Sequence, residues 1–230
     1  MQKKSNNFQY ILQKQSGLLF VSLAAIYLSV SCQVKPYAIM PGYEEFIENK
    51  SLIITALQSS DIQISDEIEE AFGENITDSI YISFFEENLE NNLSRVSSFA
   101  DVKRSPDKAD DLRAMEFILA DHDTTYFYLP IDNSTLSFQN NKPSDFILFL
   151  SGLEVAPSWI DIEYGQNPDI RHTIYYLFWD NLRHQIVCYG KTSYTAGLSK
   201  NDKHSFQLLI NNLAKSLIEN TPFRKILNQW

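Results

Sequence analysis

Apolar residues recur at helical spacing in two parts of the chain. In each part they follow one another at intervals of one to five residues along one stripe, with polar side chains between them, which predicts helices over about 77–97 and 202–219. Pro222 would end the second helix. The first stripe contains Ile76, Ile80, Phe84, Phe85, Leu89, Leu93 and Val96, and the second contains Phe206, Leu209, Ile210, Leu213 and Leu217. Such stripes usually face a core, and we expect Phe84 and Leu213 to meet in one.

Short runs rich in β-branched and aromatic residues predict the strands. Leu52–Leu57 is typical of a buried strand, and the strongly apolar run Asp145–Val155 belongs in the centre of a sheet. The polar and acidic residues 58–75 predict a loop. Two further pairs of runs predict hairpins, namely Ala114–Leu119 with Thr125–Leu129 and Ile170–Trp179 with His184–Thr195.

The order of these elements predicts the fold class. A strand, a helix, four or five strands and a closing helix indicate an α/β domain of the α+β type, with one mixed, mostly antiparallel sheet and two main helices packed on it. Residues 51–230 are long enough to form a single domain with a proper core. Residues 32–50 carry prolines, a glycine and no sustained period, and predict a tether to that domain.

The first 32 residues have a different pattern. Gly17 to Ser31 is an uncharged, mostly apolar run of fifteen residues, preceded by three lysines and followed by Cys32. A basic start, a short apolar centre and a small-residue end are typical of a secretory signal peptide, and the run is shorter than the ~20 residues that span a bilayer. We therefore predict a signal peptide at 1–31.

The sequence Leu28-Ser-Val-Ser-Cys32 resembles the lipobox of bacterial lipoproteins, although Ser29 stands where that motif usually has leucine. The resemblance implies that Cys32 is acylated and that the preceding peptide is removed. Because Gln33 rather than aspartate follows, it also implies the outer membrane, with the domain facing the periplasm or, alternatively, the cell surface. Ser29 and Ser31 equally fit cleavage by ordinary signal peptidase, and an uncut anchor is a third possibility.

Charge narrows the range of partners. Residues 1–31 hold three lysines and no acidic residue, so the remainder has a net charge of −13, against −10 for the whole chain. An acidic surface repels phosphate backbones, which argues against nucleic acid as a partner. It also argues against a basic patch that grips anionic lipid, and leaves the lipid on Cys32 as the expected contact with the membrane.

No motif in the chain predicts catalysis, a metal or a cofactor. The four histidines do not share a zinc-binding pattern, and phosphate-binding or nucleophile-elbow glycine motifs are missing from the sequence. Asp121-His122-Asp123 is better explained as a turn, and Cys188 as a small buried residue of a strand. A rival hypothesis is a lipid-anchored periplasmic hydrolase or small-ligand-binding protein with a pocket around His122 or His172.

Several segments resemble those of a group of bacterial envelope lipoproteins. They are Leu52–Leu57, Ser98–Val102, Asp145–Val155, Trp179-Asp180 and Tyr189-Gly190. The group includes the curli-secretion lipoprotein, lipoprotein activators of penicillin-binding proteins and small lipoproteins of export systems, with domains similar to the amino-terminal domain of the Tol translocation protein. This resemblance implies a non-enzymatic protein that binds a protein partner in an envelope assembly.

Overall fold

The computed structural model describes residues 37–57, 59–66, 79–105, 112–119, 122–131, 135–137, 143–158, 169–196 and 203–225. Nine strands and two α-helices lie within these ranges. The strands are β1 Tyr37–Ile39, β2 Ser51–Ile54, β3 Ile62–Ile64, β4 Asp101–Arg104, β5 Leu112–Ile118, β6 Thr124–Pro130, β7 Phe146–Ser158, β8 Asp169–Asp180 and β9 Gln185–Ala196; the helices are α1 Ser79–Val96 and α2 Lys203–Glu219.

Seven of these strands form one mixed sheet in the order β1-β9-β8-β7-β2-β4, with β3 paired to β7 as well. The neighbouring pairs β1–β9, β9–β8 and β8–β7 are antiparallel. The pairs β7–β2, β2–β4 and β7–β3 are parallel. A register shift between Leu150 and Gly152 divides β7, and β2 pairs with the part before it while β3 pairs with the part after it. The fold is therefore α+β, as the sequence predicts.

Both helices pack on one face of this sheet. Phe85, Leu89 and Leu93 of α1 are completely buried, four residues apart, and meet even-numbered residues of β2 and β7. On α2, a pair of adjacent apolar residues is buried in the same core at each turn. These are Leu209 with Ile210, Leu213 with Ala214, and Leu217 with Ile218. Burying a side chain of this size stabilises the fold by about 1.5–3 kcal/mol. The larger cluster of buried apolar side chains is on this face, which therefore holds most of the stabilising apolar contact.

The opposite face is covered by the hairpin β5–β6, which forms a separate two-stranded sheet. Phe127 and Leu129 of β6 are buried against odd-numbered residues of the large sheet, among them Ile147 and Leu177. Phe117 stands edge-on to Tyr189 of β9, with ring centroids 5.0 Å apart. The sheet is thus enclosed between two helices and a hairpin.

Several predicted elements are confirmed. Helix α1 lies within 77–97 and α2 within 202–219, both predicted hairpins form, and β7 has strands on both sides. The stripe on α1 is rotated slightly from our expectation, because Phe85 is fully buried whereas Phe84 packs against the core only partly buried. Leu213 is completely buried as expected.

Two segments predicted to lack strands contain them. β1 lies in the predicted tether 32–50 and pairs with β9, and Tyr43 is only 3% exposed, so from Tyr37 onward this segment is part of the folded domain. β3 lies in the predicted loop 58–75. Both strands have three residues, which is too short for a period-two pattern to be recognised. The predicted signal peptide and Cys32 lie outside the described residues.

Candidate functional site

The two histidines named by the rival hypothesis lie in different environments. His122 is exposed in the β5–β6 turn, with a φ of 68° that histidine adopts more readily than most residues, and its N–H donates to the carbonyl of Leu119 at 2.9 Å. This agrees with the predicted turn; Asp121 itself lies outside the described residues. His172 is completely buried in β8, and burial lowers its pKa to about 3. The two imidazoles therefore do not line one pocket.

Cys188 is completely buried in β9, as predicted for a structural residue of a strand. Burial raises the pKa of its thiol above the usual value, since a thiolate would lose its hydration there. Because the thiolate is the reactive form, Cys188 is poorly suited to act as a nucleophile.

Within the part of the chain that the structure describes, no three His, Cys, Asp or Glu side chains are grouped so as to hold a metal ion. In the described helices, no stretch is long and apolar enough to cross a bilayer.

Two depressions lie next to each other at the end of the sheet where β8 ends and β9 begins. The first, which we call the paired cleft, has a volume of about 350 Å³. Its polar residues include Lys50, Asp145, Asp180 and Arg183, and its apolar residues include Tyr43 and Phe46. They come from the segment between β1 and β2, the start of β7 and the β8–β9 turn.

Asp180 organises one side of the paired cleft. One carboxylate oxygen accepts the hydroxyl proton of Tyr43 at 2.8 Å, and the other accepts the backbone N–H groups of Leu182 and Arg183 at 3.0 and 2.8 Å. The side chain of Asp180 is 8% exposed, so these bonds replace water that it has lost. An aspartate that accepts from the backbone N–H groups of the second and third residues after it stabilises a tight turn. Here that turn joins β8 to β9.

Asp145 organises the other side and joins β7 to β2. Its Oδ2 accepts both the backbone N–H and the hydroxyl of Ser51, each at 2.9 Å, and the ammonium of Lys50 lies 3.6 Å from its Oδ1. Partial burial alone would raise its pKa, but the hydrogen bonds from Ser51 and the charge of Lys50 outweigh this and hold the pKa below its usual value. Asp145 is thus an ionised structural group at neutral pH.

The second depression, which we call the cationic groove, is larger, at about 860 Å³, and lies between the carboxyl ends of α1 and α2. Its apolar residues are Phe46, Val96 and Ile218. Four basic side chains and one acidic side chain line it as well. These are Arg95, Lys215, Arg224 and Lys225, with Glu219. Phe46 lines both depressions and separates them.

Neither depression could be read from the sequence. Lys50, Asp145 and Asp180 come from positions far apart in the chain, and Lys215 and Arg224 have no motif around them. β1 and the turn after it lead the chain to this end of the sheet. Because both lie in the segment predicted to be a tether, the sequence did not identify them as part of a site.

Comparisons with known proteins give the following. No protein-family model matches the sequence, and no curated protein is significantly similar to it. Similar solved structures include the PelC dodecamer from Paraburkholderia phytofirmans, with 9% identity over 83% of this chain and 100% of that chain and a TM-score of 0.42.

Two other similar structures are the protein XCC0632 from Xanthomonas campestris, of family DUF330, and the hypothetical protein CT253 from Chlamydia trachomatis. The first has 10% identity, covers 79% of this chain and 87% of its own, and has a TM-score of 0.36. The second has 11% identity, 74% and 94% coverage, and a TM-score of 0.37. With TM-scores below 0.5, these similarities assign no role to any residue of this chain.

Proposed function

We propose that this protein is a non-catalytic lipoprotein of a bacterial cell envelope. A lipid on Cys32 holds it in the outer membrane, and its α+β domain is presented on the periplasmic side to a protein partner in an envelope assembly or export system. The lipobox-like end of the apolar run supports the anchor, and the acidic remainder of the chain agrees with attachment through lipid rather than through surface charge.

The observation that carries the proposal is the small number of residues between Cys32 and the first strand of the folded domain. β1 begins at Tyr37, five residues after Cys32, and a fully extended chain of that length spans at most ~18 Å. A lipid on Cys32 would therefore hold the domain itself against the bilayer. β1 runs antiparallel to β9, towards the end of the sheet where β8 ends. The paired cleft and the cationic groove lie at that end, which supports their facing away from the membrane.

A second candidate function is binding of a small ligand in the paired cleft. Its volume of about 350 Å³ is within the range of small-molecule sites, ~300–1,000 Å³. The carboxylates of Asp145 and Asp180 are, however, already occupied by hydrogen bonds and ion pairs within the fold. His122 and His172 do not line the cleft. These contacts favour the partner-binding function.

Replacement of Cys32 tests the anchor. We expect Cys32→Ala to lose incorporation of radiolabelled palmitate and to leave the membrane fraction, because one thioether would carry the lipid. Cys188→Ala is the matched control, since Cys188 is buried and should not be acylated, and it should keep the label. Palmitate incorporation that persists in Cys32→Ala would contradict the proposal.

A further inference from the structure

The basic residues of the described chain fall into two groups. Five of them lie within ion-pair distance of a carboxylate. These are Lys50, Lys103, Arg104, Arg183 and Lys191. Six other described lysine and arginine side chains have no such partner among the described residues, and four of these six line the cationic groove. Within the described part of the chain, unpaired positive charge is therefore concentrated in one place.

Neutral groups hold three of these four cations in position. A guanidinium nitrogen of Arg95 donates to the side-chain oxygens of Asn92 and Asn211, and the ammonium of Lys225 donates to the backbone carbonyl of Arg95 at 2.7 Å. The guanidinium of Arg224 lies 4.7 Å from the centre of the Phe46 ring. None of these contacts neutralises a positive charge.

Helix capping explains part of this arrangement. Arg95 and Lys225 lie at the carboxyl end of α1, where cations complement the partial negative charge of the free carbonyls. Lys215 makes no such contact in the described structure, and Arg224 contacts a ring instead of a carbonyl. Capping thus leaves two exposed cations, Lys215 and Arg224, that line the groove together with its apolar side chains and have no structural role in the helices.

We propose that the cationic groove binds an acidic segment of a protein partner, with an apolar side chain of that segment on Phe46 and Val96 and its carboxylates on Lys215 and Arg224. This rests on the proposed function and names the class of partner for it. Four positive charges against Glu219 make the groove complementary to such a segment, while the acidic remainder of the surface would repel the same segment elsewhere.

A peptide probe tests this proposal on the full-length protein in detergent micelles. The probe is a fluorescein-labelled dodecapeptide of ten glutamates around a central pair of phenylalanines, and binding is followed by fluorescence anisotropy at low salt. We expect saturable binding that weakens as salt rises, and at least ~10-fold weaker binding to the double variant Lys215→Glu/Arg224→Glu, because exposed charge pairs are screened and reversal adds repulsion.

The matched control is Arg113→Glu/Arg171→Glu. Among the described side chains, Arg113 and Arg171 are the two exposed cations outside the groove that have no ion-pair partner. This variant therefore has the same net charge as the groove variant. We expect its affinity to stay within ~2-fold of the unmodified protein. A second probe, in which glycines replace the phenylalanines, should bind several-fold more weakly if the apolar floor contributes. Circular dichroism melting curves confirm that both variants fold.

Three results would overturn the proposal. The first is the absence of saturable binding by the unmodified protein, and the second is an equal loss of affinity in both double variants, which would indicate a general charge effect. The third is binding of phosphatidylglycerol vesicles, but not of peptide, that depends on Lys215 and Arg224, which would assign the groove to a lipid surface. Palmitate labelling of Cys32 is read independently, so failure here is distinguishable from failure of the anchor.

Discussion

The paired cleft and the cationic groove share Phe46 and lie at the same end of the sheet, yet they use their charges in opposite ways. In the paired cleft, Lys50 and Arg183 lie beside Asp145 and Asp180, and the carboxylates also bind backbone N–H groups. In the cationic groove, three of the four cations, Arg95, Lys225 and Arg224, are held by amides, a carbonyl and a ring. The difference indicates that the cleft charges stabilise the fold, whereas the groove charges are available to a partner.

The largest test of this comparison is Asp180→Ala. It would leave the buried hydroxyl of Tyr43 and two turn N–H groups without their acceptor, and we expect the free energy of unfolding to fall by about 2–4 kcal/mol. Urea denaturation measures it. Asp180→Asn keeps an acceptor oxygen for the turn and should cost less than half as much. A loss below ~0.5 kcal/mol for the alanine variant would show that the cleft charges are dispensable to the fold.

A pH series tests a buried group outside both depressions, the imidazole of His172. The pKa of His172 is about 3 in the folded protein and near 6.5 when unfolded, so only the unfolded state binds this proton between those values. Stability should therefore be highest above about pH 6.5 and fall by up to about 1.4 kcal/mol per unit as pH decreases towards 3. Urea denaturation of His172→Gln at each pH should show that slope removed; an unchanged slope would contradict this assignment.

With the His172 contribution removed, the same series isolates the paired cleft. The pKa of Asp145 is lower in the folded protein than its usual value, so the stability it contributes is present above the unfolded pKa of ~3.9 and is lost as pH falls through the folded pKa. The variant Ser51→Ala, which removes one donor to Asp145, should reduce that loss.

The smallest expected effect is in the cationic groove. Lys215→Ala and Arg224→Ala remove exposed, unpaired charges, so each should change the free energy of unfolding by no more than ~0.5 kcal/mol in the same assay. A loss as large as that of Asp180→Ala would show that the groove charges are structural as well and would abolish the contrast between the two depressions.

How far the sequence predicts this molecule depends on the length of each element. The stripes Phe85–Leu93 and Leu209–Leu217 repeat often enough to identify both helices, and the run around Phe149 identifies the central strand. β1 and β3 have three residues each, and their strand conformation comes from pairing with β9 and β7, which no local pattern records. Which of Phe84 and Phe85 is buried likewise depends on the rotation of α1 against the sheet.

The two depressions were beyond prediction for a related reason. Asp180 accepts a hydrogen bond from the hydroxyl of Tyr43, which is 137 residues away in the chain. Arg95 donates one to Asn211, which is 116 residues away. Such groups meet only once the sheet order is known. His122, by contrast, was identified correctly as a turn residue, because turn geometry depends on its immediate neighbours.

The pairing of β1 with β9 has a consequence for how the chain is made and moved. Ala38 lies opposite Tyr189, so the first strand of the domain finds its partner only after most of the chain has been synthesised. Non-local pairings of this kind form slowly, because a long loop must be ordered before the contacts that stabilise the pairing are made. A chain built in this way completes its sheet late, which agrees with the export that we propose for it.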